Sequence, residues 1–159
     1  METSVHDASR QIHRDSSKLC SPIRRLYSVI NQKKTGAENA FAGYKLTPIA
    51  GEITKSSMTR VINIMRTRMY FNSDSRVIDI GCGQGKPNLH FAVAVNPSFN
   101  VGIEIVPWRW YQATTNLRKA FDLSLTGKIP NPNCSFELGN IRKVKTLNPF
   151  THIYMFSTG

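Results

Sequence analysis

The stretch Arg76-Val77-Ile78-Asp79-Ile80-Gly81-Cys82-Gly83-Gln84-Gly85 joins two kinds of sequence. Arg76 to Ile80 is a short, mostly apolar run, fit for a strand buried in a parallel sheet. Glycine then falls at every second position, at Gly81, Gly83 and Gly85. A chain that must turn sharply from strand to helix, with its backbone close to a ligand, needs glycine, which has no Cβ and adopts positive φ without penalty. A helix is expected from about Pro87 to Val95, stopped by Asn96-Pro97. Its first turn would present unpaired N–H groups to a carboxylate or phosphate.

Strands and helices alternate on both sides of this bend. Downstream, Asn100-Val101-Gly102-Ile103-Glu104 reads as a second strand. Pro107 opens a helix whose inner face carries Trp110, Ala113, Leu117 and Phe121. A loop over Thr126 to Asn133 leads to a third strand, Cys134 to Leu138, and His152 to Phe156 is the fourth. Upstream, Thr54 to Phe71 predicts an amphipathic helix with Met58, Val61, Ile62, Met65 and Met69 on one face. Asn72 to Ser75 ends it as a polar turn. Tyr44 to Ile53 is a connector broken by Pro48 and Gly51, and Asn31 to Gly43 is loop-like. A shorter helix begins at Pro22, with Ser21 as N-cap and Ile23, Leu26, Tyr27 and Ile30 on one face.

The expected fold is therefore α/β, a Rossmann-like parallel sheet with right-handed crossovers and strand order 3-2-1-4. Residues 1–20 are expected to be a disordered basic segment, 21–53 a helical and loop extension, and 54–159 the nucleotide-binding domain with its later strands missing.

Gly-rich strand-to-helix bends hold several ligands. Here an acid precedes Gly-x-Gly-x-Gly, whereas the dinucleotide pattern is Gly-x-Gly-x-x-Gly. The form present favours the amino-acid end of S-adenosylmethionine over a pyrophosphate, with a purely structural turn as the alternative. The candidate residues are Asp79, Gly81, Cys82, Gly83, Gln84 and Gly85. Glu104 lies 19 residues past Gly85 at the end of the second strand, where a carboxylate can accept from both ribose hydroxyls. Both nucleotide classes use such an acid. After the third strand, Asn140 could accept from the adenine amino group and Ile141 could cover the ring; a turn-forming Asn after Gly139 is the competing reading.

Composition narrows the setting. The 159 residues suit one domain, and 40% hydrophobic content can bury a core. Lys and Arg number 21 against 10 Asp and Glu, a net charge of +11 that favours polyanionic partners. Cys20, Cys82 and Cys134 are odd in number and far apart, which suggests neither a disulfide framework nor a metal site. The four histidines are scattered and receive no role. No apolar run is long enough for a membrane helix, and Met1 to Lys18 lacks the apolar centre of a secretory signal.

With these pieces in place, the chain from about Tyr44 to Phe156 resembles the disruptor-of-telomeric-silencing family of non-SET histone lysine methyltransferases. Gly51-Glu52-Ile53-Thr54 stands ahead of a long helix, as the family's Gly-Glu-Thr-like segment does. Val77 to Gly85 is similar to its Asp-Leu-Gly-Ser-Gly-x-Gly, and Val101 to Ile105 to its second strand. Phe136 to Ile141 sits where the family has Gly-Asp-Phe. Lys86 stands where many members have Gln, Asn140 replaces an acid and Ile141 an aromatic residue. Ser157-Thr158-Gly159 stands where the family continues into an Asn-rich segment, so the chain reads as a C-terminally truncated member.

The resemblance implies an α/β class I methyltransferase fold with S-adenosyl-L-methionine as cofactor. It implies that Gly51, Glu52, Ile53 and Thr54 lie over the cofactor's methionine moiety. It further implies a nucleosomal histone lysine as substrate and the nucleus as location. Arg10, Arg14, Lys18, Arg24, Arg25, Lys33, Lys34, Arg60, Arg66 and Arg68 would then contact DNA phosphates. No residue reads as an obligatory acid or base, and none is assigned as catalytic. A methyltransferase for RNA, another protein or a small molecule fits the glycine bend and Glu104 equally well. A catalytically inactive adenosyl-binding module is the reading from another class.

Overall fold

The structure, a computed structural model, describes residues 22–30 and 52–156. The expected disordered segment 1–20, the Ser21 cap, the 31–51 loop and connector with Gly51, and Ser157 to Gly159 lie outside the described residues.

Helix α1 spans 22–30. Its four expected inward residues, Ile23, Leu26, Tyr27 and Ile30, are all buried, each contributing roughly 1.5–3 kcal/mol of apolar burial. They pack in one cluster with Leu89, Val93, Ala113 and Ala120. Tyr27 also shares a hydrogen bond of 3.1 Å with His90 Nδ1. Burial, and secondarily Lys55, hold His90 down to about 4, so this histidine is a neutral core residue at physiological pH.

Helix α2 is Lys55–Arg68. Thr54 caps it, its hydroxyl accepting from the Ser57 N–H. Met58, Ile62 and Met65 are its buried stripe. The helix ends three residues earlier than expected, and Met69 is 48% exposed. The reason is local. Tyr70 takes a left-handed conformation at φ 55°, which turns the chain and drops Phe71 into the core, where its ring meets Phe91 edge-on at 5.3 Å.

The sheet is parallel, in the order β3-β2-β1-β4, as expected. β1 is Arg76–Ile80 and β2 Phe99–Glu104; β3 is Ser135–Leu138 and β4 His152–Tyr154. β4 stops two residues short of the expected Phe156. β1 pairs with β2 through Ile78 and Val101, and with β4 through Asp79 and Tyr154. Switching from β2 on one side to β4 on the other leaves a crevice at the C-terminal ends of β1 and β4.

Helix α3, Lys86–Ala94, follows the bend. It lies close to the sheet because Gly102 has no Cβ; one there would stand 2.8 Å from Asn88 Oδ1 and 2.8 Å from Cys82 Cβ. Asn88 and Asn100 fill that contact with two hydrogen bonds of 2.9 Å. Helix α4 is Pro107–Leu125. Its buried residues are Ala113, Asn116 and Ala120, with Trp110 and Leu117 partly buried against them. Phe121, expected inside, is 39% exposed, because small residues form the contact and bring α4 close. A short 3-10 turn, Ile141–Lys143, separates β3 from β4.

Candidate functional site: a cleft at the glycine bend

The bend is built by backbone hydrogen bonds to the neighbouring strand. Gly81 and Cys82 N–H both donate to the Ile103 carbonyl, at 2.9 and 3.1 Å. Gly81, Gly83 and Gly85 have φ of 76°, 56° and 75°, where a side chain is strained. Gly85 has a further reason: a Cβ there would collide with the Phe136 ring. Gly85 is therefore a packing glycine, whereas Gly81 and Gly83 face open space. Asn116 of α4 donates to the Gln84 carbonyl at 3.0 Å and fixes the end of the loop.

A cleft of about 560 Å³, the open solvent at its mouth included, lies over this bend. Asp79, Gly81, Cys82, Gly83 and Gln84 form its floor, and Glu52 and Ile53 reach it from ahead of α2. Lys86 and Pro87 enter from α3. Trp108 and Arg109 at the start of α4, and Tyr154 and Phe156 from β4, complete the wall. The Arg109 guanidinium lies over the Trp108 ring at 5.5 Å.

Three acids differ sharply in surroundings. Glu104 is 3% exposed. Its Oε2 accepts from the Gly83 N–H and its Oε1 from the Val106 N–H, both at 2.8 Å. Asp79 is 1% exposed, and its Oδ2 has no hydrogen-bond partner. Burial, and secondarily the charge of Glu104, push Asp79 up to about 8. Glu52 is exposed at the rim and pairs with Lys86 Nζ at 2.6 Å. The Tyr154 hydroxyl is buried without a partner; burial first, then Asp79, raise it to about 12.

Of the candidate residues, Glu52, Ile53, Asp79, Gly81, Cys82, Gly83 and Gln84 come together in the cleft. Gly51 lies outside the described residues. Thr54 caps α2, and Gly85 packs on Phe136. Glu104 does not line the cleft; its side-chain Oε2 accepts from the Gly83 N–H of the bend. Asn140 Oδ1 accepts from the Arg142 N–H at 3.0 Å and caps the 3-10 turn to which Ile141 belongs, the turn-forming role that competed with adenine contact. Cys82 is buried, and burial drives its thiol up, so it lines the floor as an inert thiol. Sequence reasoning missed Trp108, Arg109, Tyr154 and Phe156. Their position four and five residues past Glu104, or at the end of the strand beside β1, was the available signal. Among the described residues no cluster of His, Cys, Asp and Glu could hold a metal, and no helix is long and apolar enough to cross a membrane.

No protein-family model matches the chain, and no curated protein sequence matches it. Solved structures do. The chain is similar to an S-adenosylmethionine-dependent methyltransferase from Geobacter sulfurreducens in complex with S-adenosyl-L-homocysteine, at 16% identity and a TM-score of 0.52 over 84% of this chain and 43% of that one. It is similar to another from Thiobacillus denitrificans, also in complex with S-adenosyl-L-homocysteine, at 17% identity and a TM-score of 0.51 over 78% of this chain and 44% of that one. The chain thus spans less than half the length of these structures. The fold is the Rossmann-like class I methyltransferase fold.

Proposed function

We propose that this chain binds S-adenosyl-L-methionine over the Asp79–Gly85 bend, as the cofactor-binding part of a methyltransferase. We infer as its substrate a lysine side chain of nucleosomal histone, and hence a nuclear location. The observation that carries the cofactor reading is Asp79 Oδ2, a buried carboxyl oxygen with no partner on the floor of the cleft. Once ionised, this buried acid attracts the α-ammonium of an amino acid and repels the pyrophosphate of a dinucleotide. Glu104, with lone pairs beyond those used by Gly83 and Val106, would take the ribose, and the Trp108 ring would cover the adenine.

The bound cofactor supplies a methyl group on a sulfonium, open to attack by a neutral amine. A free lysine has a pKa of about 10.4 and must lose its proton in the site. Tyr154 and Phe156, on the wall next to Asp79, would exclude water from that amine. The Tyr154 hydroxyl keeps its proton at neutral pH and can donate a hydrogen bond.

The histone assignment rests on the family resemblance of Glu52-Ile53 ahead of α2, both of which line the cleft. Arg24, Arg25, Arg60, Arg66 and Arg68 are all exposed and fit contact with DNA phosphates. Calorimetry with S-adenosylhomocysteine and with NAD tests the cofactor; preference for NAD would sink it. Labelled methyl transfer to nucleosomes, free histones and RNA tests the substrate. Label on RNA alone would remove the histone assignment. Retention on nucleosomes should fall steeply with added salt, and salt-insensitive retention would remove the docking role.

A further inference from the structure

We propose that Lys86 receives the carboxylate at the amino-acid end of the ligand, and that Glu52 is a counter-ion which this carboxylate displaces. The inference rests on the adenosyl-amino-acid reading above and assigns one end of that ligand.

Lys86 is the first residue of α3, a helix of nine residues. A cation at a helix N-terminus is opposed by the helix dipole. The first turn of α3 contains no acid, and its N-cap Gly85 offers no side-chain cap. The ammonium thus stands at a helix start that needs an anion from elsewhere. Glu52 supplies it, with Oε2 at 2.6 Å from Lys86 Nζ. The two partners are unequal. The Lys86 side chain is 13% exposed and that of Glu52 46%, so the lysine belongs to the cleft and the glutamate to its rim.

A second observation points to the same ligand end. Asp79 Oδ2, in a residue 1% exposed, has no partner and lines the cleft that Lys86 also lines. A cation and an unpartnered acid in one cleft match a zwitterion, with its ammonium at Asp79 and its carboxylate at Lys86. Exchange of one carboxylate for another keeps Lys86 paired in both states, so the mostly buried charge is never left uncompensated.

Isothermal calorimetry of the full chain tests this with two probes. S-adenosylhomocysteine carries the amino-acid end, and 5′-methylthioadenosine lacks it. Lys86→Gln should weaken S-adenosylhomocysteine about 10- to 100-fold, with methylthioadenosine unchanged. Lys86→Arg should retain most of the affinity. Glu52→Gln should bind S-adenosylhomocysteine up to about fivefold more tightly, because a half-exposed ion pair no longer has to break. Equal loss of both probes in Lys86→Gln would make Lys86 a structural residue and overturn the proposal. So would a Glu52→Gln variant as weak as Lys86→Gln, since the pair would then be a fixed strap. Should Lys86→Gln not fold, Glu52→Gln and Lys86→Arg decide: looser binding by the former or complete loss in the latter overturns the exchange. An unaltered chain that binds neither probe overturns the adenosyl reading itself. One that binds both, with variants that change nothing, overturns only the role of Lys86.

Discussion

Asp79→Asn removes one negative charge from the floor of the cleft at almost constant volume. With Asp79 pushed up to about 8 by burial and by Glu104, only about one molecule in ten carries it ionised at pH 7, and about one in a hundred at pH 6. A ligand whose ammonium requires the carboxylate has its affinity scaled by that fraction. Binding of S-adenosylhomocysteine should therefore tighten about ninefold from pH 6 to pH 7 and about fivefold more from pH 7 to pH 8. In Asp79→Asn the slope should vanish. At pH 8 the variant should bind about 10- to 100-fold more weakly than the unaltered protein, from the loss of a charge-assisted hydrogen bond of about 1.5–3 kcal/mol. Calorimetry at several pH values, in two buffers of different ionisation enthalpy, reads both quantities. Near pH 7 the unaltered protein should release about 0.9 proton on binding and the variant none. Methylthioadenosine, without the ammonium, should show no such slope. If Asp79→Asn keeps the pH slope, or binds S-adenosylhomocysteine at full affinity at pH 8, the amino-acid end lies elsewhere and the reasoning fails.

The same carboxyl shapes stability. Its folded value lies above the 3.8 of an ordinary Asp, so its contribution is complete below about pH 4, declines as pH rises and is gone above about pH 8; Asp79→Asn should gain on the unaltered protein over that window, and urea midpoints at pH 5 and pH 8 that differ by a constant amount would contradict this. Gly85→Ala places a methyl group on the Phe136 ring at a φ of 75° and should cost about 2–5 kcal/mol, against about 1–2 for Gly83→Ala, which meets open space; equal losses in urea denaturation would count against the packing role. Glu104→Ala leaves the Gly83 and Val106 N–H groups without their acceptor and should cost about 3–5 kcal/mol of stability. It should also weaken S-adenosylhomocysteine and methylthioadenosine alike, since both carry the ribose; a loss confined to the former would remove the ribose assignment.

The sheet order could be read from the chain because an apolar run, a glycine bend and alternating elements leave few topologies open. Element ends could not. Met69, Tyr70 and Phe71 continue the helical pattern of α2, yet the left-handed Tyr70 closes the helix early and uses Phe71 as core. Phe121 fits the inner-face spacing of α4, but the buried stripe of Ala113, Asn116 and Ala120 sets the contact. In the site, the bend was legible because its spacing carries the chemistry, whereas Glu52-Ile53 was reached only through the family resemblance. Trp108 and Arg109 were not, since the first turn of α4 serves the cleft while the rest of that helix serves the core. Tyr154 was hidden for a different reason: it becomes the neighbour of Asp79 only through strand pairing across 75 residues. Asn140 fitted two roles by sequence, and its oxygen accepts a local bond from the Arg142 N–H.

Glu104 and Asp79 divide one task. Glu104 spends an acceptor on each of two backbone N–H groups and so builds the bend. Its charge, added to burial, is what raises the unpartnered Asp79. The residue that shapes the loop therefore also helps to keep Asp79 protonated until a cation arrives to pair with it. A buried acid raised this far on the floor of a cleft is a candidate functional group. An anionic ligand meets repulsion from this pair, and a neutral nucleoside leaves Asp79 protonated and unpartnered. A ligand with an ammonium at one end and ribose hydroxyls at the other satisfies both acids. The order of affinity should then be S-adenosylhomocysteine, methylthioadenosine, NAD, and an inverted order would break the link between the two acids on which the cofactor reading depends.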